Sequence, residues 1–547
     1  MITPKMSTQM KSKTTALLTA FAGCALTALS QTLPPDAIVH PKPDSWPTFH
    51  GDYSGRHYSP LKEINAENVH NLTLGWVNQI SMTPGANIGG PGPAPSSTGF
   101  ANTRCAPLMV DGVLYITEPN TVLAIDARTG REIWKYTWRG LPAFALGNRG
   151  VAIYGDWLFF ETYDNHLVSL DVKTGKERWN KEIADVKRDY FSSVSPLVIG
   201  NHVIVGVGGD FLDVPNFAEA RDPETGEVQW HFWTTAHEGD AGFKTWPSKN
   251  AVEHGGGGVW YPPTYDPELN LLYIPTGNAN PVMAGQSREG DNLYTASVVA
   301  VNPDTGKMAW YFQYSPHDTH DWDAAQTPVL FDAVIDGKNR KLLAQAHRSG
   351  LFFVLDRTDG KSILTAPFME GLNWYKGIAP NGQPIRDPMK EPQVAGALTS
   401  PNSNGSTGWP NPAYNPDTGL FYVGASQSYT IFYKTDTDPQ PEGYSGAERG
   451  GGVVKNELRA IDVKTGKIAW KHATNVGAQS LLTTAGNLVF GGDGSGNFIA
   501  FDARNGEPLW HAGLISNPSN APISYMLDGH QYVLVAGGDN LYAFRLQ

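Results

Sequence analysis

Apolar runs in this chain are short, and many of them end at the same polar phrase. In the clearest copy, Val122-Leu123-Ala124-Ile125 leads into Asp126, two residues, Thr129-Gly130, three residues and Trp134. An apolar run of this length reads as a strand. The Asp opens a turn, and the Gly supplies the positive φ that the turn needs. Glu132-Ile133-Trp134 then begins a second strand. Each phrase therefore predicts a β-hairpin whose Trp packs between neighbouring units. The phrase returns at Asp171/Thr174-Gly175/Trp179, Asp222/Thr225-Gly226/Trp230 and Asp462/Thr465-Gly466/Trp470. Looser copies stand at Asn302/Thr305-Gly306/Trp310, Asp356/Asp359-Gly360 and Asp502/Asn505-Gly506/Trp510.

Successive phrases lie 40 to 54 residues apart, except for two longer steps of 80 and 106. A four-stranded propeller blade takes roughly 40–50 residues. The long steps leave room for blades whose phrase has decayed. Strand traces inside them are Tyr265-Asp266-Pro267 with Leu271-Leu272-Tyr273, and Tyr414-Asn415-Pro416 with Leu420-Phe421-Tyr422. The expected fold is all-β, an eight-bladed β-propeller with four-stranded antiparallel blades. A β-helix and stacked sandwiches are the alternatives.

Composition agrees with a turn-rich β protein: 59 Gly, 40 Pro and 16 Trp in 547 residues. A closed ring of blades accommodates that length as one domain. Net charge is −12 and no long basic run occurs, which argues against a nucleic-acid partner. Lys5, Lys11 and Lys13 precede an apolar run over 14–29, and Ala28-Leu29-Ser30 gives a small-x-small cleavage pattern. Residues 1–30 are thus expected to be a secretory signal and 31–547 the propeller, with a periplasmic or secreted location. Phe21-Ala22-Gly23-Cys24 offers a second reading, a lipoprotein site attaching the protein to a membrane through Cys24. The other cysteine is Cys105, so the mature chain has no internal disulfide and no Cys-x-x-Cys-His for covalent haem.

Function has to be sought where residues break the repeat, because propellers serve both as scaffolds and as enzymes. The densest such place is Ser315-Pro316-His317-Asp318-Thr319-His320-Asp321-Trp322-Asp323. Its acids and histidines suit a cation or a proton acceptor, and equally a solvated interblade loop; His317 and His320 alone are a weak zinc signal. Four glycines follow His254 and precede Val259-Trp260. They would let backbone approach something flat, with Trp260 stacking on it, or they form a plain turn. Asn278 follows a strand, and could ligate a metal or cap a turn. Arg149 and Arg348 sit at strand mouths, where each could pair with a carboxylate ligand or simply neutralise neighbouring acids.

In this order the segments resemble the quinoprotein alcohol dehydrogenases, eight-bladed propeller enzymes that use pyrroloquinoline quinone and a metal ion. The resemblance runs from Trp46 to the C-terminus and includes Tyr58-Ser59-Pro60-Leu61 with Ile64-Asn65. It implies that Trp260 forms one face of a sandwich around the quinone and that Arg149 and Thr162 bond the cofactor's polar edge. It implies metal ligands at Asp210, Asn278, Asp321 and Asp323, the last matching the extra carboxylate of lanthanide-using members. Asp321 would be the catalytic base, and Arg348 would bond both Asp321 and the quinone oxygens. The ion would be calcium or a lanthanide. The substrate would be an alcohol or aldehyde, and the electron acceptor an external cytochrome c or a similar carrier.

The chain also departs from the family. Ala143 and Phe144 stand where two adjacent cysteines are common, leaving Phe144 to stack on the cofactor. Arg104 replaces a cofactor-contacting Glu, and could pair with a cofactor carboxylate or obstruct the pocket. Gly258 and Gly408 replace a Thr and an Asn. These changes keep a second reading open, a non-catalytic propeller that binds protein in the envelope. A third is a hydrolase that uses only the metal and carboxylates.

Overall fold

The computed structural model describes residues 33, 35–80, 103–118, 120–141, 147–209, 213–438 and 440–547. The expected signal segment with Cys24, the Ala143-Phe144 pair and Asp210 lie outside the described residues.

Each repeat phrase joins the third and fourth strands of one antiparallel sheet. The first complete example orders Leu108–Val110, Val113–Glu118, Thr121–Asp126 and Glu132–Thr137 side by side. Six more sheets follow the same plan, and their first strands begin at Ala152, Leu197, Thr264, Val329, Ala413 and Leu482. An eighth sheet among the described residues carries no phrase. It joins Leu72–Gln79 to the C-terminal strands Ile523–Leu527, His530–Gly537 and Asn540–Leu546. An early and a late segment thus share one sheet, closing the β-propeller. Among the described residues no helix is long and apolar enough to cross a membrane.

The packing explains the phrase. The indole of each phrase lies on the glycine of the next: Trp134 on Gly175, Trp179 on Gly226, Trp230 on Gly306, Trp310 on Gly360 and Trp470 on Gly506. Trp134, Trp230, Trp310 and Trp470 also donate their indole N–H to Val172, Pro303, Arg357 and Ala503. Each acceptor is the residue just after the next phrase's opening Asp or Asn. Trp510 donates to the carbonyl of Leu72 and so joins the closing sheet. In the copy that lacks Trp, Leu364 and Ala366 pack on Gly466 instead.

At Gly175 φ is +66°, and an added Cβ would lie 2.4 Å from Cε3 of Trp134. Left-handed strain and overpacking would act together, so Gly175→Ala should lower stability by about 2–4 kcal/mol. Chemical denaturation of the two proteins checks this.

The expectation of decayed blades in the two long steps is corrected. Thr264–Asp266 and Leu271–Pro275 are the first two strands of the sheet whose phrase starts at Asn302. Ala413–Asn415 and Leu420–Lys434 play the same part for the phrase at Asp462. The extra length is in connections, not in blades. It falls at 234–263, 276–296, 368–412 and 435–445, each either between two sheets or between second and third strands. In an antiparallel four-stranded blade those two kinds of connection lie at one end and the phrase turns at the other. One end of the ring is therefore plain and repetitive, and the other carries the irregular loops.

Candidate functional site

All the described candidate residues lie on the irregular end. Arg149, Trp260, Asp321 and Asp323 sit on connections between sheets, and Thr162, Asn278 and Arg348 follow second strands. The glycine run fixes two of them relative to each other. Gly257 donates its N–H to the Asn278 carbonyl (2.9 Å), and Gly277 donates to Gly258 (2.8 Å). A Cβ on Gly256 would meet the Asn278 oxygen at 2.8 Å. The close approach that these glycines allow is thus of chain to chain, and it sets Trp260 beside the turn bearing Asn278.

Arg348 is the hub of the acidic half. Its NH1 donates to the Asp321 carbonyl (2.6 Å) and lies 3.9 Å from that residue's Oδ2. Its NH2 is 3.2 Å from Oδ2 of Asp323, and its Cζ is 5.9 Å from the Trp260 ring centre. The other Asp323 oxygen accepts the Asn278 N–H at 2.7 Å. Burial holds the Asp323 carboxyl above its usual range in spite of Arg348. Asp321 adopts φ +67°, a left-handed conformation that Asp tolerates better than most residues. Asn278, Asp321, Asp323, Arg348 and Trp260 thus form one connected group.

The rest of the acidic loop is structural. Asp318 accepts bonds from the Ser315 hydroxyl and from the backbone N–H of His320 and Trp322. His317 and His320 bond the carbonyls of Gly290 and Lys390, and His320 stacks on Trp322. Among the described residues no group of three or more His, Cys, Asp or Glu is arranged to hold a metal, so the zinc reading finds no support.

Arginine dominates the other half. The Arg149 guanidinium lies 4.8 Å from the Trp260 ring centre and 5.2 Å from that of Trp409. Arg104 approaches the same Trp409 ring at 5.8 Å. Arg149 is 3% exposed, and its hydrogen bonds go to the Ser193 carbonyl and hydroxyl. Its Nε is buried without a partner among the described residues. Burial and the neighbouring Arg104 push its pKa down to about 9, which still leaves it charged at neutral pH. Thr162 stands apart: its hydroxyl donates to Asp164 and accepts the His166 N–H.

Two site residues were not legible in the sequence. Trp409 follows Gly408 outside any repeat phrase, and that off-phrase position was the available signal. Tyr444 donates its hydroxyl to Oδ2 of Asp321 at 3.3 Å. It reaches there at the tip of the long hairpin formed by Leu420–Lys434 and Gly446–Asp462, which no spacing rule connects to Asp321.

A buried guanidinium over an indole face, with no carboxylate partner among the described residues, suits a flat anion. Two carboxylates and an amide beside it suit a cation. Comparison with known proteins points the same way. The family model described as "Glucose/ethanol/alcohol dehydrogenase, beta-propeller domain" matches residues 46–368 and 456–533. The chain is 35% identical to the quinoprotein alcohol dehydrogenase PedH of Pseudomonas putida, over 88% of this chain and 84% of that protein. The quinohemoprotein alcohol dehydrogenase structure from Comamonas testosteroni superposes with a TM-score of 0.85 at 31% identity, covering 94% of this chain and 83% of that one. A europium-containing methanol dehydrogenase superposes at 0.81 and 27% identity, covering 93% of this chain and all of that one (100%).

Proposed function

Because the chain belongs to the quinoprotein alcohol dehydrogenase family, and is an oxidoreductase of that type, we propose that it oxidises an alcohol or aldehyde outside the cytoplasm with pyrroloquinoline quinone and a bound calcium or lanthanide ion. Electrons would leave to an external cytochrome or similar acceptor. The relatives named above are enzymes, which leaves the scaffold reading without comparable support.

The observation that carries the proposal is the paired charge imbalance around Trp260. Among the described residues Arg149 is buried with neutral partners only, and Asp323 is buried beside Arg348 with its pKa raised. Pyrroloquinoline quinone is a planar tricarboxylate, so it matches the indole face and supplies the negative charge that Arg149 lacks. When bound it would supply a carbonyl able to accept hydride. Arg149, Arg104 and Arg348 would hold it on Trp260. Asn278, Asp321 and Asp323 offer hard oxygen donors, which suit calcium or a lanthanide; the additional carboxylate of Asp323 favours the trivalent ion. Asp321 would take the hydroxyl proton of the substrate. Arg348 holds that residue through its carbonyl, and Tyr444 reaches its carboxylate.

Reconstitution tests this reading. Purified protein should reduce an artificial electron acceptor with an alcohol only when given both the quinone and a metal, with lanthanum supporting more turnover than calcium. Chelation should remove the activity, and metal should restore it. Absence of quinone binding with either metal would sink the proposal.

A further inference from the structure

Beside Arg348 the loop 402–410 and the long hairpin border a half-open cavity of about 480 Å³. That volume lies within the roughly 300–1,000 Å³ of small-molecule sites. Amides and hydroxyls, among them Asn402, Asn404, Ser426 and Asn456, share its walls with the apolar surfaces of Trp409 and Val476. Arg348 is the one charged residue in this lining, which contains no carboxylate among the described residues. The wall groups are braced against one another. Ser426 donates to Asn456 (2.7 Å) and Ser428 to Asn402 (3.0 Å). Asn404 is exposed, and no hydrogen bond from the described residues engages its side chain.

A second, smaller cavity of about 140 Å³ shares Trp409 and Pro410 with the first. Gln479 and Asn520 line it, and the side-chain NH2 group of each is buried without a partner among the described residues. These are donors that lack oxygen acceptors. Much of the larger chamber's wall, including Asn402, Asn404, Ser426 and Ser428, comes from residues 369–455. That segment lies between the two stretches matched by the family model.

We infer that this chamber recognises a polyhydroxylated alcohol of pentitol or hexitol size, presenting one hydroxyl toward Asp321 past Arg348. As a substrate pocket it rests on the dehydrogenase reading above. Hydroxyl groups both donate and accept, which matches amides that offer both functions. An alkyl chain would strip water from the same amides and give no bond in return. A carboxylated ligand would find one guanidinium and otherwise neutral walls. Gly408 keeps the chamber open. A Cβ there would meet Ala478 and Pro410 at 3.4 Å, an ordinary contact, so a larger side chain can be carried and would extend into the space.

The test uses the whole protein free of quinone, so that it does not depend on turnover. Sorbitol and ribitol are titrated by calorimetry and by tryptophan fluorescence, with 1-hexanol as the apolar probe. Saturable binding of the polyols and none of 1-hexanol is expected. Asn404→Ala, an exposed change that spares the fold, should weaken polyol binding by about tenfold, the size of one lost hydrogen bond, and Gly408→Asn should weaken it comparably by filling the space beside Ala478 and Pro410. Binding of 1-hexanol as tight as that of the polyols, or polyol binding unchanged in both variants, overturns the inference. Polyol binding without turnover after reconstitution overturns the dehydrogenase reading and leaves the ligand class standing.

Discussion

Asp321→Asn should cut alcohol turnover by about 10³-fold, within the usual range for loss of a positioned general base, and should leave the melting temperature and the quinone affinity unchanged. The structural cost is small for identifiable reasons. Asn is isosteric with Asp and enters the left-handed region as readily, so the +67° φ is kept. The short bond from Arg348 goes to the backbone carbonyl of residue 321, which the substitution does not touch. The carboxylate itself is 19% exposed and is held by a 3.3 Å bond from Tyr444 and a 3.9 Å approach of Arg348, both of which an amide oxygen can receive. What disappears is the capacity to accept a proton. Assays at saturating metal separate this loss from any weakening of the cation site. Turnover within a few-fold of the parent protein would move the base elsewhere.

The sequence made the scaffold legible and the site only in part, for a physical reason. The phrase is local: a turn needing positive φ and a Trp eight residues after its opening Asp recur because each indole must lie on the next glycine. Where Leu364 does the work of Trp, the pattern fades while the packing persists. The long steps were harder to read, since a strand pair without its phrase looks the same whether it begins a new blade or completes an existing one. The acidic loop could be found but not sorted. Asp318, Asp321 and Asp323 differ only in the partners that folding gives them, and Asp318 proves to brace its own loop. Arg149 and Trp260, 111 residues apart, were linked by resemblance rather than by spacing. Trp409 and Tyr444 join the site through long connections whose paths follow no period.

Arg149 provides the sharper test of what the site is for, because fold and function should respond in opposite directions. Its guanidinium is buried against two indoles and, among the described residues, bonded only to Ser193, with one nitrogen lacking a partner there. Arg104 adds like-charge repulsion. Such a group costs the empty protein stability, since removing a charge from water is repaid only by a well-placed counter-charge. Met fills a similar space with a flexible apolar chain. Arg149→Met is therefore expected to stabilise the quinone-free protein by about 1 kcal/mol or more. The same change should weaken quinone binding by about 10²-fold, the size of a lost hydrogen bond to a charged group. Thermal melts of the empty protein and quinone titrations read the two effects separately. Lower stability with unchanged quinone affinity would make Arg149 a structural residue. Gain of stability together with loss of binding would mean that the fold carries this buried cation for the sake of an anionic ligand.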